Sequence, residues 1–145
     1  MPTYVCWSRA GRLLPEVRER IAKSITEIHH DVGRAPRYFV QVIFAELGDR
    51  SHFIGAAVAS ADQIWIRADI RTGRSQDQKT ELLTRIAREV SDIAEVSKEE
   101  VWVYVSDIPG PSVLEFGHVL PPPGEEAAWF ANLPSELQER LRSLA

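Results

Sequence analysis

The chain has 145 residues, 44% of them hydrophobic and 26% charged, with a formal net charge of −4 and no basic run. That length suits one domain with a real core, and the charge excludes the electrostatic footprint of a nucleic-acid binder. The lone cysteine, Cys6, excludes an internal disulfide and fits a reducing compartment. No stretch has the form of a signal peptide or the length of an apolar membrane span, so a cytoplasmic protein with no membrane partner is expected.

Thr3 to Ser8 is rich in β-branched and aromatic residues and predicts a strand. Cys6 lies in it as a small buried hydrophobe. After a turn at Arg9–Arg12, Pro15 suits the first position of a helix that runs to Asp31. Val17, Ile21, Ile25 and Ile28 recur there at helical spacing, and Gly33 is its expected stop. A second strand is predicted from Tyr38 to Ala45, apolar at nearly every position as if covered on both faces. Residues 46–62 form a looser connection with room for a short hairpin.

The pattern then repeats. Gln63 to Ile70 predicts a strand, and Ser75–Gln78 has the form of a capping box. Leu82, Leu83, Ile86, Val90 and Ile93 mark the helix behind it, and Val101–Val105 a further strand. Two consecutive βαβ units, each with a parallel crossover, predict an α/β fold: a four-stranded sheet with two helices on one face. The other face is left bare within one chain, so burial against other subunits is expected. The single domain spans 1–145, with a first half at 2–60, a second at 61–112 and a C-terminal extension at 113–145. Pro121–Gly124 breaks that extension, Trp129 and Phe130 pin it to the core, and Pro134–Leu144 reads as a helix with structural roles only.

Several residues could carry chemistry. If Met1 is trimmed, Pro2 offers a secondary amine at a strand end, and a terminal amine titrates near neutral pH. Arg71 and Arg74 flank Gly73 just before the capped helix. There they form either an anion site that grips a carboxylate, or two solvated loop arginines. By helical phase His29 falls on the edge of the apolar stripe, whereas His30 points into solvent. His29 is then a working histidine or a half-buried helix-end residue. Tyr104 shares a strand face with Trp102 and Ser106, as a packing residue, an interface hydrogen bonder or a site residue. Glu115, between Leu114 and Phe116, is either exposed by alternation or held in a pocket with a shifted pKa. No histidine pair has ligand spacing with a carboxylate, so no metal is expected.

Taken together, these positions resemble the tautomerase superfamily, and specifically its cis-3-chloroacrylic acid dehalogenase group. The resemblance runs from Pro2 through Ala22–His29, Arg71-Thr72-Gly73-Arg74-Ser75, Val101–Tyr104 and Leu114–Gly117 to Leu120-Pro121 and Trp129-Phe130. It implies a homotrimer with sheets around a central barrel, which would cover the bare face. It also implies hydrolytic dehalogenation of a small unsaturated carboxylate without cofactor or metal. Arg71, Arg74 and His29 would hold the carboxylate, Glu115 and Tyr104 would activate water, and protonated Pro2 would act as general acid. Two alternatives stay open: a keto–enol tautomerase acting on substrates such as phenylpyruvate, with neutral Pro2 as base, and a non-catalytic trimeric interaction module.

Overall fold

The computed structural model describes residues 2–144, so the fate of Met1 lies outside the described residues. The first half comprises β1 (Thr3–Arg9), α1 (Pro15–Gly33) and β2 (Gln41–Leu47). A connecting hairpin follows, β3 (Phe53–Ile54) and β4 (Ala57–Val58). The second half comprises β5 (Ile64–Arg71), α2 (Gln76–Ala94) and β6 (Val101–Ile108). A second hairpin, β7 (Leu114–Glu115) and β8 (His118–Val119), leads to α3 (Glu126–Ala131) and α4 (Ser135–Ser143).

The four long strands form one mixed sheet in the order β2-β1-β5-β6. β1 runs parallel to β2 and β5 parallel to β6, as a βαβ crossover requires. The two halves meet in an antiparallel joint, with Thr3 opposite Asp69 and Ser8 opposite Ile64. The start of β1 therefore lies beside the end of β5.

Strand alternation sorts the residues. Tyr4, Cys6, Ile64, Ile66, Ala68 and Ile70 face the helices and are buried. They meet Ile21, Ile25, Ile28 and Val32 of α1 and Leu82, Ile86 and Val90 of α2 in one core. Burial pushes the Cys6 thiol up to about 12, so this cysteine is inert packing. The α2 capping box is complete: the Ser75 hydroxyl accepts the Gln78 N–H while Gln78 accepts that of Ser75. The opposite sheet face has no helix over it and exposes Ile43, Trp102 and Tyr104. No helix among the described residues is long and apolar enough to cross a membrane.

Two local expectations are corrected. The apolar run from Tyr38 is not continuous strand: Arg37–Phe39 turns in a 3-10 helix after Pro36, and β2 starts only at Gln41. Phe39 instead packs with Leu120, Tyr38, Val113, Phe116 and Trp129 in a second cluster that fastens the C-terminal segment. The apolar character of Tyr38 and Phe39 thus serves the tail, not a doubly covered strand. Helix α1 ends on Arg34 in the left-handed region (φ 55°), one residue beyond the expected stop, and Gly33 stays buried inside the helix end.

Ile86 is fully buried between α2 and the sheet. Ile86→Ala should cost about 2–5 kcal/mol in denaturant unfolding. Leu14→Ala, at a position 60% exposed, should stay within about 0.5 kcal/mol.

Candidate functional site

The antiparallel joint brings the start of β1, the end of β5 and, through the parallel β5–β6 register, the end of β6 to one edge of the sheet. Pro2 is buried there, and its carbonyl accepts the Gln41 N–H at 3.0 Å. Helix α1 arrives from the helix-covered side and presents His29, only 1% exposed. His29 is thus neither at the rim of the apolar stripe nor half-buried. Its Nδ1 lies 2.7 Å from the Tyr4 hydroxyl. Burial lowers the His29 pKa to about 3, with further lowering from Arg74 and then from the amino-terminal charge. Burial raises that of Tyr4. The ring is therefore neutral at ordinary pH, and its Nδ1 shares one hydrogen bond with the Tyr4 hydroxyl, leaving its Nε2 outside that bond. A Cβ on Gly33 would stand 2.7 Å from that Nε2, so the glycine leaves space for the ring.

His30 does not point freely into solvent. It is half-buried, and its Nδ1 lies 2.8 Å from the Ala35 carbonyl oxygen, where the chain turns after the helix.

Arg71 and Arg74 are not solvated loop residues. Arg71 ends β5, and its side chain is 4% exposed. It donates to the Pro121 carbonyl and to the Glu126 carboxylate, so the C-terminal segment lies directly on it. A Cβ on Gly73 (φ 115°) would meet Pro123 Cγ at 2.7 Å, which fixes glycine where the tail crosses. Arg74 donates to the Gly33 carbonyl at 2.8 Å. Burial lowers its pKa, and Arg71 lowers it further. The Nε atoms of both arginines are buried with no hydrogen-bond partner among the described residues. Two guanidiniums so placed are a strong electrostatic invitation to an anion. An open cleft at Arg74 is lined also by Arg34, Gln78 and Glu126, with Gly33, Gly73, Pro123 and Gly124.

Glu115 belongs to the β7–β8 hairpin, whose turn places Phe116 (φ 53°) and Gly117 (φ 81°) in the left-handed region. Burial raises its pKa, opposed by the positive amino terminus. The carboxylate is half-buried, so it is not fully exposed by alternation. Arg74 acts electrostatically on His29 and is itself acted on by Arg71, and the Thr3–Asp69 pairing brings Pro2 to the same strand end.

Tyr104 does not join them within the chain. It pairs with Arg67, which pairs with Val5, three residues from Pro2 and about 10 Å along the strand. It is 52% exposed on the helix-free face, its ring edge-on to Trp65 at 5.6 Å.

Tyr4, Gly33 and Glu126 were missed by the sequence reading. For Tyr4 a signal existed: a tyrosine on the helix-facing side of β1 needs a partner for its hydroxyl. For Glu126 none did, because its partner is 55 residues away.

A family model described as putative oxalocrotonate tautomerase enzyme matches residues 1–132. The crystal structure of N1, a member of the cis-3-chloroacrylic acid dehalogenase family, superposes with a TM-score of 0.94 at 46% identity, covering 97% of this chain and 99% of that one. A probable tautomerase of Streptococcus agalactiae is 40% identical over 45 residues, 31% of this chain and 75% of its own length. A wild-type fused 4-OT described as an asymmetric trimer shares the fold, with a TM-score of 0.74 at 20% identity over 81% of this chain and 94% of that one.

The buried neutral His29 gives a pH test. The unfolded chain takes a proton near pH 6.5 and the folded one only near 3, so stability is full above 6.5 and falls as pH drops through that window. The slope from this one group is about 1.4 kcal/mol per pH unit. Denaturant titrations between pH 7 and 4 should show a shallower decline for His29→Asn than for the unaltered chain; parallel declines would mean that His29 charges freely in the fold.

Proposed function

The chain belongs to the tautomerase superfamily and to its cis-3-chloroacrylic acid dehalogenase group, and on that footing we propose that it hydrates small unsaturated carboxylates, 3-haloacrylates among them, without a cofactor. The observation that carries this reading is the pair of arginines, Arg71 buried and Arg74 half-buried, each with a buried Nε short of a partner, near buried Pro2 at one sheet edge. Arg71, Arg74 and His29 hold the substrate carboxylate and draw electron density toward it, which makes C3 electrophilic. Glu115, whose raised pKa suits a general base, takes a proton from water as its oxygen bonds to C3. Pro2, as a protonated secondary amine, gives its proton to C2. The resulting 3-halo-3-hydroxy acid expels halide and a proton to leave malonate semialdehyde. Only a Pro2 that is the first residue has this amine; behind Met1 its nitrogen is an amide without usable basicity.

The same parts support a second reading, favoured by the probable tautomerase name of the Streptococcus agalactiae relative. With Pro2 neutral, the amine takes a proton from carbon and returns one to carbon or oxygen of a keto–enol acid. The two readings need opposite protonation states of one nitrogen.

Tyr104 enters through assembly. The helix-free face exposes Ile43, Trp102 and Tyr104 and buries a Trp65 Nε1 without a partner among the described residues. Three copies closing these faces around a barrel would cover that surface, and Tyr104 then serves the pocket of a neighbouring copy. The alternative of a non-catalytic trimer leaves the unpartnered Nε groups of Arg71 and Arg74 unexplained.

Pro2→Ala should lower turnover of cis-3-chloroacrylate and of phenylpyruvate by orders of magnitude; unchanged turnover would sink the amine mechanism. Side-by-side pH profiles assign its role: a limb that needs protonated enzyme marks an acid, and one that needs deprotonated enzyme marks a base. Light scattering should give three times the 16.3 kDa chain mass. Trp102→Glu should reduce it, and Tyr104→Phe should lower turnover while leaving the mass unchanged.

A further inference from the structure

The sheet has a second end, roughly 20 Å from Pro2 along β1, where β1 and β2 finish and β5 begins. A small pocket opens there, with about 30 Å³ of space for water centres. Local bonds set its walls. The Ser51 N–H donates to the Gly48 carbonyl at 3.2 Å, and Arg50 takes a left-handed turn (φ 53°). The Ala59 N–H donates to the His52 carbonyl at 3.0 Å across the base of the β3–β4 hairpin. The rim residues Asp49, Arg50, Ser51 and Ser60 are exposed, whereas Gln63 is the buried member of the lining, 4% exposed. The Gln63 Nε2 is buried and has no hydrogen-bond partner among the described residues. A buried amide donor left without an acceptor is costly, so this one calls for an acceptor.

The charges around the pocket select that acceptor. Its titratable lining residues are Arg9, Asp49, Arg50 and His52. Arg9 meets Asp49 through one nitrogen at 3.2 Å, with both side chains more than half exposed, so the pair is loose. Arg50 has no ion-pair partner among the described residues. His52 adds a ring that is neutral or cationic, never anionic. The flanking carboxylates Glu46 and Asp62 lie outside the lining and are paired with Arg18 and Arg12, each at 2.6 Å. The pocket therefore carries at least one net positive charge. The Ser60 Oγ accepts the Asp62 N–H at 3.1 Å, which leaves its own hydrogen to donate. Surplus donors and surplus positive charge together favour an anion over a cation. At about 10–15 Å³ for each water centre, the space takes two or three oxygens.

We propose that this pocket binds the head of a small carboxylic acid, with one oxygen on the Gln63 side-chain nitrogen and the charge facing Arg50 and Arg9. The body of the acid stays in solvent, because the space ends with the head group. A phosphate dianion, with four oxygens and a second charge, overfills both the space and the charge. The site shares no residue with the Pro2 end of the sheet and does not depend on the reaction proposed there.

The test is a heteronuclear NMR titration of the full chain with sodium acetate, against sodium chloride at the same ionic strength. It is read at the Gln63 side-chain amide and the Ser60 backbone amide, which separates this pocket from acetate held at Arg74. Both signals should shift saturably with acetate in the millimolar range and respond little to chloride. Arg50→Ala should weaken binding about three- to tenfold. Asp49→Asn removes the rim's negative charge and should tighten it about two- to threefold. Gln63→Leu, read at Ser60, removes the buried donor and should weaken binding about tenfold. No saturable shift in the millimolar range overturns the proposal, and leaves water as the partner of Gln63. An equal saturable response to chloride overturns the carboxylate assignment. Unchanged affinity in Arg50→Ala overturns the proposal too, and that exposed position decides the matter if Gln63→Leu fails to fold.

Discussion

The burial of the Arg71 guanidinium constrains this molecule more than any other single contact. A cation with 4% of its side chain exposed is tolerable only if its donors find partners and its charge an opposite. Neither exists in the two βαβ halves. Both come from the C-terminal segment, as the Pro121 carbonyl and the Glu126 carboxylate. The route of the tail follows: Pro123 crosses Gly73, and Trp129 packs on Phe39. The extension is thus coupled to the end of β5 by electrostatics and to the Arg37–Phe39 turn by apolar contact.

A second constraint works from the helix side. The Tyr4 hydroxyl and the His29 ring are both buried, and each satisfies the other. That pair joins the first strand to the last turns of α1, and Gly33 lets the ring fit. Because the imidazole stays neutral, it offers a hydrogen-bonding ring nitrogen and not a charge. The cationic work is left to the two guanidinium groups of Arg71 and Arg74.

The sheet and both helices were legible because their signals are local. Ile21, Ile25 and Ile28 repeat at helical spacing, and Ser75–Gln78 completes its capping box within four residues. The bare sheet face could be foreseen from two crossovers on one side. What was not legible depends on distant partners. Tyr38 and Phe39 read as strand because their apolarity was visible, while the Leu120 and Trp129 they pack against were not. His30 looked solvent-facing by helical phase, but Ala35 folds back to meet it. The six candidate residues stood out by type and position, but only the resemblance joined them into one site. Periodicity alone could not have separated a buried Arg71 from a loop arginine, nor seen that Tyr104 lies about 10 Å along the strand from Pro2.

The antiparallel joint between β1 and β5 gives the chain an approximate internal dyad, and hence two similar poles at opposite ends of the sheet. At one pole β1 begins after Pro2. At the other β5 begins after Gln63, which is 4% exposed and has a side-chain nitrogen without a partner among the described residues. There the backbone continues from Asp62, and the Gln63 nitrogen is a peptide N–H that donates to the Ser60 carbonyl at 3.2 Å. The lone pair of an amide nitrogen is delocalised into its carbonyl, so it neither takes up nor readily releases a proton. The duplication therefore repeats the scaffold but not the chain start, so a mechanism that uses an amine at Pro2 would give an assembly one such centre per chain, not one per βαβ unit.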